Sequence, residues 1–419
     1  MSRPRYGRHR TDPSTPRAPY SRGVSVYLDH AATTPLRAEA REAWLQTSTS
    51  LGNASSIHTA GQSARRLLED ARERLAATLG CEPIEIVFTS GGTESVNLAV
   101  TGLYRARRDG RGALVLPGGE HHATLDTVAW LTAHEEAEVV DVPISADARI
   151  DLDAWDRALR GPGVAAATLL AANNEIGTIQ PLEQAARIAA DAGVPLHVDA
   201  VGAFGHMPLS FGMLRGDARG SAGLVALSVS AHKVAGPVGV GALVVSRHAA
   251  LAPLLHGGAA QRGLRAGTQD VAGAVAFATA AELALEEMAQ EARRLATLRD
   301  RLQAGLAAAI PDLVISAAGA DRLAGHLHVL LPGAQGDSLL LLLDAAGVAV
   351  STGSDCQAGV PEPSHVLLAM GVEQSAASGA LRLTLGRTSI DTDVDVVLAA
   401  LPAAYERARR AGLSSRAVR

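Results

Sequence analysis

Two kinds of apolar pattern alternate along the chain from about residue 65 onward. Apolar residues at helical spacing predict helices over 64–79, 93–107, 125–135, 152–160 and 182–191. Short, continuous apolar runs that end in Gly, Ser, Asn or Asp predict seven strands, at 85–89, 113–116, 139–142, 165–171, 195–199, 224–228 and 241–245. This alternation predicts an α/β fold whose mostly parallel sheet lies between helices and binds ligands at the carboxyl ends of its strands.

The pattern changes near residue 269, where a long Ala-, Leu-, Glu- and Arg-rich helix is predicted to run to about residue 309. A second, smaller α/β unit follows. Its predicted strands are 326–331, 348–351 and 380–385, and its predicted helices are 338–344, 363–370 and 393–411. We therefore expect a large domain over 38–287 and a small domain formed by 23–37 together with 288–412, preceded by a flexible tail over 1–22.

Composition narrows the class of protein. Apolar residues make up 47% of the 419 positions and charged residues 19%, so the bulk of the chain is not disordered. A net charge of −5 gives no reason to expect direct binding to nucleic acid or to an anionic membrane. No apolar run approaches the length of a spanning helix. A soluble protein with a small-molecule or protein partner is expected.

The N-terminal residues and the number of cysteines indicate the cellular compartment. The first 22 residues hold six arginines and one acidic residue without an apolar segment, so they are expected to be a solvated basic tail rather than a secretory signal; an interaction arm is the alternative. Two cysteines cannot form a disulfide framework, which favours the cytoplasm. Without HExxH or paired CxxC motifs, no metal site is predicted.

The strongest candidate chemistry combines a carboxylate and a lysine. Asp199 ends a predicted strand, and Lys233 follows 34 residues later in Ser228-Val229-Ser230-Ala231-His232-Lys233. Pyridoxal phosphate needs a lysine for its aldehyde and a carboxylate for its pyridine nitrogen. Alone, each residue has an ordinary explanation, as a turn residue or a surface charge. Together they predict a pyridoxal-phosphate site in which Lys233 also moves the substrate's α-proton.

A phosphate site is predicted nearby. The segment Phe88-Thr89-Ser90-Gly91-Gly92-Thr93-Glu94 passes from a strand through two glycines into a helix, whose N-terminal amides and Thr93 hydroxyl can bind an anion. Such a turn is also an ordinary helix start. Ser230 and His232 are further possible donors. No motif for nucleotide binding is present.

Three further positions follow predicted strands or lie in a polar segment. His121 is placed to stack on a flat ring, and Asn174 offers an amide at the same edge of the sheet, although both are also ordinary loop residues. Cys356 lies in Ser351 to Gly359, which we expect to be an exposed, mobile loop. There its thiol is available as a nucleophile, whereas Cys81, at a helix end, is expected to be structural.

Taken together, these residues resemble those of a known family, the cysteine desulfurases among the class V aminotransferase-like enzymes of pyridoxal-phosphate fold type I. The resemblance runs from about residue 27 to about residue 411. Beyond the motifs above, it is carried by Tyr27 to Pro35, Gly52 to Ser56, Asn173 to Gly177, Arg265 to Thr268 and Arg382 to Arg387.

The resemblance implies a homodimer that takes sulfur from L-cysteine, releases L-alanine and passes the sulfur from a Cys356 persulfide to an acceptor protein. It implies that Asp199 meets the cofactor's pyridine nitrogen, that His121 stacks on the ring and that Lys233 holds the cofactor covalently. The phosphate would be bound by Gly92, Thr93, Ser230, His232 and, from the other subunit, Thr268. Asn174 and Arg382 would orient the substrate carboxylate.

Four positions depart from the family pattern. Gly202 stands where the family usually has a glutamine that bonds the cofactor's phenolic oxygen, and Ala231, Ala266 and Asp355 replace a glycine, a serine and a small neutral residue. None removes an essential group, but together they suggest a specialised or slower enzyme. Two alternatives stay open: another pyridoxal-phosphate lyase, epimerase or transaminase, and a non-enzymatic partner protein.

Overall fold

The computed structural model describes residues 26–258, 260–353 and 363–416, the last six by their backbone alone. The predicted basic tail and Cys356 lie outside the described residues. Within them, the strands are β1 Val26–Tyr27, β2 Ile86–Thr89, β3 Ala113–Pro117, β4 Glu138–Val142, β5 Val164–Leu170, β6 Pro195–Asp199, β7 Gly223–Ser230, β8 Gly241–Val245, β9 Val314–Ile315, β10 His326–Leu330, β11 Val348–Ala349 and β12 Ala380–Thr384.

The helices alternate with these strands over most of the chain. They are α1 Ala38–Ser48, α2 Thr59–Leu79, α3 Gly92–Arg105, α4 His122–Glu135, α5 Leu152–Leu159, α6 Leu182–Asp191, α7 Phe211–Arg215, α8 Val271–Ala309, α9 Gly336–Ala345, α10 His365–Ala369, α11 Gln374–Ala377 and α12 Asp391–Arg416. Short 3₁₀ turns lie at Pro83–Glu85, Ala231–Val234 and Gln261–Gly263.

The main sheet has seven strands in the order β2-β8-β7-β6-β5-β3-β4. β8 is antiparallel to both of its neighbours, and the other strands are parallel to one another. The predicted α/β fold with a mostly parallel sheet is confirmed. Both faces are covered, since successive residues such as Val87 and Phe88 belong to hydrophobic clusters on opposite faces.

A second core forms around a three-stranded antiparallel sheet, β12-β10-β9. β1 pairs with β11 as a separate parallel ribbon, and Val26 and Leu28 join the hydrophobic cluster of this second core. α8 connects the two cores, because its first half packs in the main core, at Phe277 for example, and its second half packs in the other, at Leu302 for example. The domain boundaries given above stay predictions.

Most predicted elements are present, although several begin or end at residues other than those predicted. α2 begins at Thr59 instead of 64, because the His58 side chain accepts a hydrogen bond from the N–H of Gly61 and caps the helix. α10 begins at His365 instead of 363, capped by Ser364. The weakly amphipathic α1 and the short α7 were not predicted. None of the described helices is both long and apolar enough to cross a membrane.

Candidate active site

A cavity of about 370 Å³ opens at the carboxyl edge of the main sheet, facing the second core. It is lined by eight of the predicted site residues: Gly92, Thr93, His121, Asn174, Asp199, His232, Lys233 and Arg382. Most of them follow strands β2, β3, β5, β6 and β7, so the topology brings together side chains that are far apart in sequence. These eight side chains therefore surround one cavity at this edge, and their role in ligand binding stays a prediction.

Lys233 lies in the 3₁₀ turn that follows β7, and its stem is fixed at the wall of the cavity. Its ammonium group donates hydrogen bonds to the carbonyl of Ala31 and, at 2.8 Å, to the carbonyl of Ala32. Lys233 is also the only lysine in the 419-residue sequence, in which the other 37 basic residues are arginines. A cofactor that needs a lysine side chain therefore has one possible attachment point, a signal that the motif analysis overlooked.

Asp199 ends β6 as a buried carboxylate, 3% exposed. Burial raises its pKa to about 6, against the opposing effects of a 2.9 Å hydrogen bond from the Val201 N–H and of the nearby Lys233 charge. A ring N–H cation placed here would favour the ionised carboxylate. This is the partner that a protonated pyridine nitrogen requires.

The residues predicted to bind a phosphate lie where α3 begins, beside the end of β7. The first-turn amides of a helix have no carbonyl partners within the helix and bind anions. The hydroxyl of Ser230 lies next to this turn, buried and without a hydrogen-bond partner among the described residues. Gly91 has a φ of +152° and passes close by, since a Cβ there would lie 4.0 Å from the Ser230 hydroxyl. The unsatisfied hydroxyl and the helix start fit a phosphate group.

Two histidines line the cavity as neutral rings. His121 caps α4, and its Nδ1 accepts a 3.0 Å hydrogen bond from the Ala123 N–H, which leaves Nε2 as the protonated nitrogen. Burial, with Lys233 as a second cause, lowers the pKa of His121 to about 4 and that of His232 to about 4. The Nδ1 of His232 lies 3.2 Å from the Thr33 hydroxyl. An uncharged ring at position 121 suits stacking on a planar cofactor.

The opposite wall of the cavity carries a buried arginine. Arg382 projects from β12 and donates a 2.8 Å hydrogen bond to the Asp29 carboxylate and a 3.1 Å hydrogen bond to the backbone carbonyl of Asn174. Its Nε is buried without a hydrogen-bond partner among the described residues. A planar guanidinium at the cavity surface that keeps further N–H donors beyond these two hydrogen bonds can bind a carboxylate.

The remaining predicted positions are placed differently. Ser230 adjoins the cavity as described, whereas Thr268 is exposed and does not line it. Arg265, three residues before Thr268, is held to the start of α3 by a 2.9 Å ion pair with Glu94. Gly202 lines the cavity, and a Cβ there would make ordinary van der Waals contact, since it would lie 3.7 Å from its nearest neighbour, the Ala172 carbonyl oxygen. A larger side chain would fit at position 202.

The two cysteines differ in what the structure shows. Burial, with the charges of Glu85 and Glu82 as lesser causes, raises the pKa of Cys81 to about 12, so this thiol does not ionise near neutrality. Cys356 lies outside the described residues. The described residues contain no cluster of three or more potential metal ligands.

The chain matches known proteins over most of its length. The family model for class-V aminotransferases matches residues 26–397. An IscS-like cysteine desulfurase of Mycobacterium tuberculosis is 50% identical over 397 residues, which cover 93% of this chain and 98% of that protein. A solved NifS-like protein superposes with a TM-score of 0.83 at 33% identity, covering 91% of this chain and 99% of the other. A structure described as SspA in complex with cysteine superposes with a TM-score of 0.73 at 29% identity, covering 87% of this chain and all of that one.

Proposed function

Since the chain belongs to the class-V aminotransferase family, as a pyridoxal-phosphate-dependent cysteine desulfurase, we propose that the cavity at the sheet edge is its active site and that Cys356 receives the sulfur. One observation carries this proposal. The only lysine of the chain, Lys233, and a buried strand-end carboxylate, Asp199, line one cavity, and next to its lining residue Gly92 lies the hydroxyl of Ser230, which has no hydrogen-bond partner among the described residues.

The residues on the sheet side of the cavity would hold the cofactor. Lys233 would bind its aldehyde, Asp199 would keep its pyridine nitrogen protonated, and the neutral ring of His121 would stack on its face. The phosphate would lie at the start of α3, bound by Gly92, Thr93, Ser230 and His232. When bound, pyridoxal phosphate supplies an electron sink for a carbanion at the substrate's α-carbon.

Lys233 and His121 are the groups placed to move protons. The Lys233 amine, once free of the cofactor, would take the α-proton of the substrate, because this flexible side chain ends at the cavity wall. There it donates hydrogen bonds to the carbonyls of Ala31 and Ala32. Burial lowers the pKa of His121 to about 4, so the ring is neutral at pH 7 and its Nε2–H would act as a hydrogen-bond donor towards the reacting groups.

Substrate binding would use the opposite wall. The α-carboxylate of L-cysteine would accept hydrogen bonds from the Arg382 guanidinium and from the Asn174 side-chain amide, both at the cavity surface. Arg382 is already oriented by Asp29 and by the Asn174 carbonyl, so little conformational freedom is lost when the substrate binds.

Sulfur transfer would then need a thiolate. The Cys356 thiolate forms a bond to the sulfur of the bound cysteine while the carbon–sulfur bond of the substrate breaks. The electron pair stays with the substrate carbon, which gains a proton, so the products are L-alanine and a persulfide on Cys356. Cys81 does not qualify for this step, because burial raises its pKa to about 12.

The proposal also covers the oligomeric state, the sulfur acceptor and the cellular location. We expect a homodimer, in which the exposed Thr268 would complete the phosphate site of the other subunit. The persulfide would pass to a sulfur-acceptor protein. A cytoplasmic location agrees with the presence of only two cysteines, since one of the two must stay reduced to act as the nucleophile.

The experiment that tests the proposal compares two serine variants, Cys356→Ser and Cys81→Ser, incubated with L-cysteine. Cys356→Ser should keep the cofactor's colour and bind L-cysteine, form no persulfide and make little alanine, whereas Cys81→Ser should match the parent protein. Alanine and sulfide would be measured together with persulfide labelling. Parent-level alanine and sulfide from Cys356→Ser would make Cys356 a bystander and the enzyme a lyase of another kind.

A further inference from the structure

A buried carboxyl group that the proposed chemistry does not use lies beside the substrate wall of the cavity. Glu175 follows Asn174 in the turn after β5 and is 2% exposed. The turn is rigid, because the Asn173 side chain accepts hydrogen bonds from the N–H groups of Glu175, at 3.0 Å, and Ile176, at 2.9 Å, and donates one to the Gly119 carbonyl. Burying a carboxyl group is costly, so a specific contact is expected to account for it.

The first such contact reaches the C-terminal flank of the segment that carries Cys356. The Ser364 hydroxyl donates a 2.5 Å hydrogen bond to Glu175 Oε2, and both side chains are buried. The same hydroxyl accepts a hydrogen bond from the Leu367 N–H and so caps α10. The capping bond needs only the serine, so the bond to Glu175 is an additional attachment of this flank to the turn.

The second contact reaches the N-terminal flank of the same segment. Gly353 has a φ of +89° and lies directly on the carboxyl group, since a Cβ at this position would be 2.9 Å from Glu175 Oε2. The N–H of Gly353 donates a 2.9 Å hydrogen bond to the Ser351 hydroxyl, and Ser351 exchanges two backbone hydrogen bonds with Arg382. One carboxyl oxygen therefore lies against both flanks of residues 354–362.

The substrate-binding groups converge on the same turn. Arg382 donates a hydrogen bond to the carbonyl of Asn174, and the Asn174 side chain lines the cavity beside it. The C-terminal flank has a further attachment close by, because His365 Nε2 lies 2.9 Å from the Glu120 carbonyl and its ring meets the edge of the His122 ring at 4.8 Å. The groups predicted to bind the substrate carboxylate and the flanks of residues 354–362 are therefore attached to the same turn.

We propose that Glu175 is a positioning residue that fixes both flanks of the Cys356 segment to the turn holding the substrate carboxylate, and so restricts the region in which the Cys356 thiol searches for the substrate sulfur. The proposal rests on the proposed function. Misplacing a nucleophile by about 1 Å costs on the order of a hundredfold in rate. In this proposal Glu175 acts through the two flanks, so its loss should slow the transfer without altering the intrinsic reactivity of the thiol.

The test uses the holoenzyme in a Cys81→Ala background, so that Cys356 is its only thiol. Glu175→Ala should slow persulfide formation in a single turnover by roughly tenfold to a hundredfold, and Glu175→Gln, which keeps an acceptor for Ser364, should slow it less. Cofactor absorption, the concentration of cysteine that half-saturates the enzyme and the alkylation rate of Cys356 by iodoacetamide should each stay within about threefold of the parent value.

Ser364→Ala should reproduce much of the Glu175→Ala effect, and the double variant should be no slower than the worse single variant, since both act through one contact. Ser210→Ala is the matched control, because Ser210 caps α7 by accepting a hydrogen bond from the Met213 N–H, far from the cavity. It should leave the transfer rate unchanged.

Two results would overturn the proposal: parent-rate persulfide formation in Glu175→Ala, or a parallel loss of iodoacetamide reactivity and transfer rate, which would place the effect on the thiol itself. If Glu175→Ala does not fold, Glu175→Gln and Ser364→Ala give the same decision. A parent protein that forms no persulfide on Cys356 would instead contradict the proposed function.

Discussion

The two walls of the active-site cavity are built in different ways. The cofactor wall, formed by Gly92, His121, Asp199, Ser230 and Lys233, comes from residues within four positions of a strand end in one sheet. The substrate wall, formed by Asn174, Gly353 and Arg382 and backed by the buried pair Glu175 and Ser364, joins the main sheet to the second core. Its contacts link residues separated by 189 positions for Ser364 and Glu175, and by 353 for Arg382 and Asp29.

This difference separates two kinds of control over the reaction. The cofactor wall is fixed by the backbone hydrogen bonds of a buried sheet, so changes to one side chain should remove a chemical group and leave the geometry intact. The substrate wall is held by a few side-chain contacts between the two cores. Single changes there should alter placement, and hence the rate, more than they alter cofactor binding.

The largest effect is expected on the cofactor wall, from Lys233→Ala. Because no other lysine exists in the chain, this variant has no side-chain amine for the cofactor's aldehyde. The purified protein should be colourless after desalting, and borohydride followed by peptide mass spectrometry should label the parent at Lys233 and leave the variant unlabelled. Alanine production should fall to background. A yellow variant that keeps borohydride-stable label would contradict the assignment of Lys233.

The next effect is expected on the substrate wall, from Arg382→Lys. Lysine keeps the charge but not the fork of donors that contacts Asp29, the Asn174 carbonyl and the substrate. Loss of a charged hydrogen bond costs about 1.5–3 kcal/mol, so kcat/KM for L-cysteine should fall by roughly tenfold to a hundredfold, mainly through KM, with cofactor absorption unchanged. The control is Arg160→Lys, at an exposed ion pair with Asp156. A loss of cofactor that matches the loss of activity would mean that the two walls are not separable.

The same contrast explains what the sequence could reveal. Strand-end residues such as Asp199 and Lys233 were predictable, because their neighbours in sequence form the apolar runs that define the sheet. The site of Arg382 came only from the resemblance, and Glu175 received no role, because its contacts with Gly353 and Ser364 depend on how two cores pack. α1 was missed because its apolar residues form no clear face. The single lysine was visible in the sequence and needed only to be counted.

A smaller effect is expected behind the cofactor wall, from Glu120→Gln. Burial, with the Asp199 charge as a lesser cause, raises the pKa of Glu120 to about 8, against a 2.7 Å hydrogen bond from the Leu170 N–H. The carboxyl group is therefore mostly protonated in the folded protein at pH 7, and an uncharged amide should replace it with little loss of activity.

The pH dependence of stability tests this assignment. Folding raises the pKa of this carboxyl group, so its contribution to stability is fully present below its unfolded pKa, near 4.5. The contribution is lost as the pH rises towards the folded pKa of about 8. As the pH rises from 5 to 8, the free energy of unfolding of the parent should fall relative to that of Glu120→Gln, and the difference should be on the order of a few kcal/mol. Thermal unfolding of both proteins across this range measures it. Parallel Tm curves would show that Glu120 ionises normally.

The smallest effect is expected from filling the space beside Gly202 with Gly202→Gln. The backbone accepts a side chain here, because a Cβ at position 202 would lie 3.7 Å from its nearest neighbour without a positive φ, and the position lines the cavity. The resemblance places an amide at this position next to the cofactor's phenolic oxygen. A donor there should stabilise the deprotonated oxygen through a charge-assisted hydrogen bond and lower the pH at which the bound cofactor changes colour by about one unit.

Gly202→Ala is the matched control for this last change, since it fills part of the space without adding a donor. It should leave the colour transition where it is in the parent, and both variants should keep the parent's Tm to within a few degrees. A glutamine that is ordered against the cofactor, yet leaves the transition unmoved, would show that the cofactor wall sets the phenolic oxygen's protonation without a side chain at position 202. The charges of Asp199 and Lys233 would then be sufficient to control it.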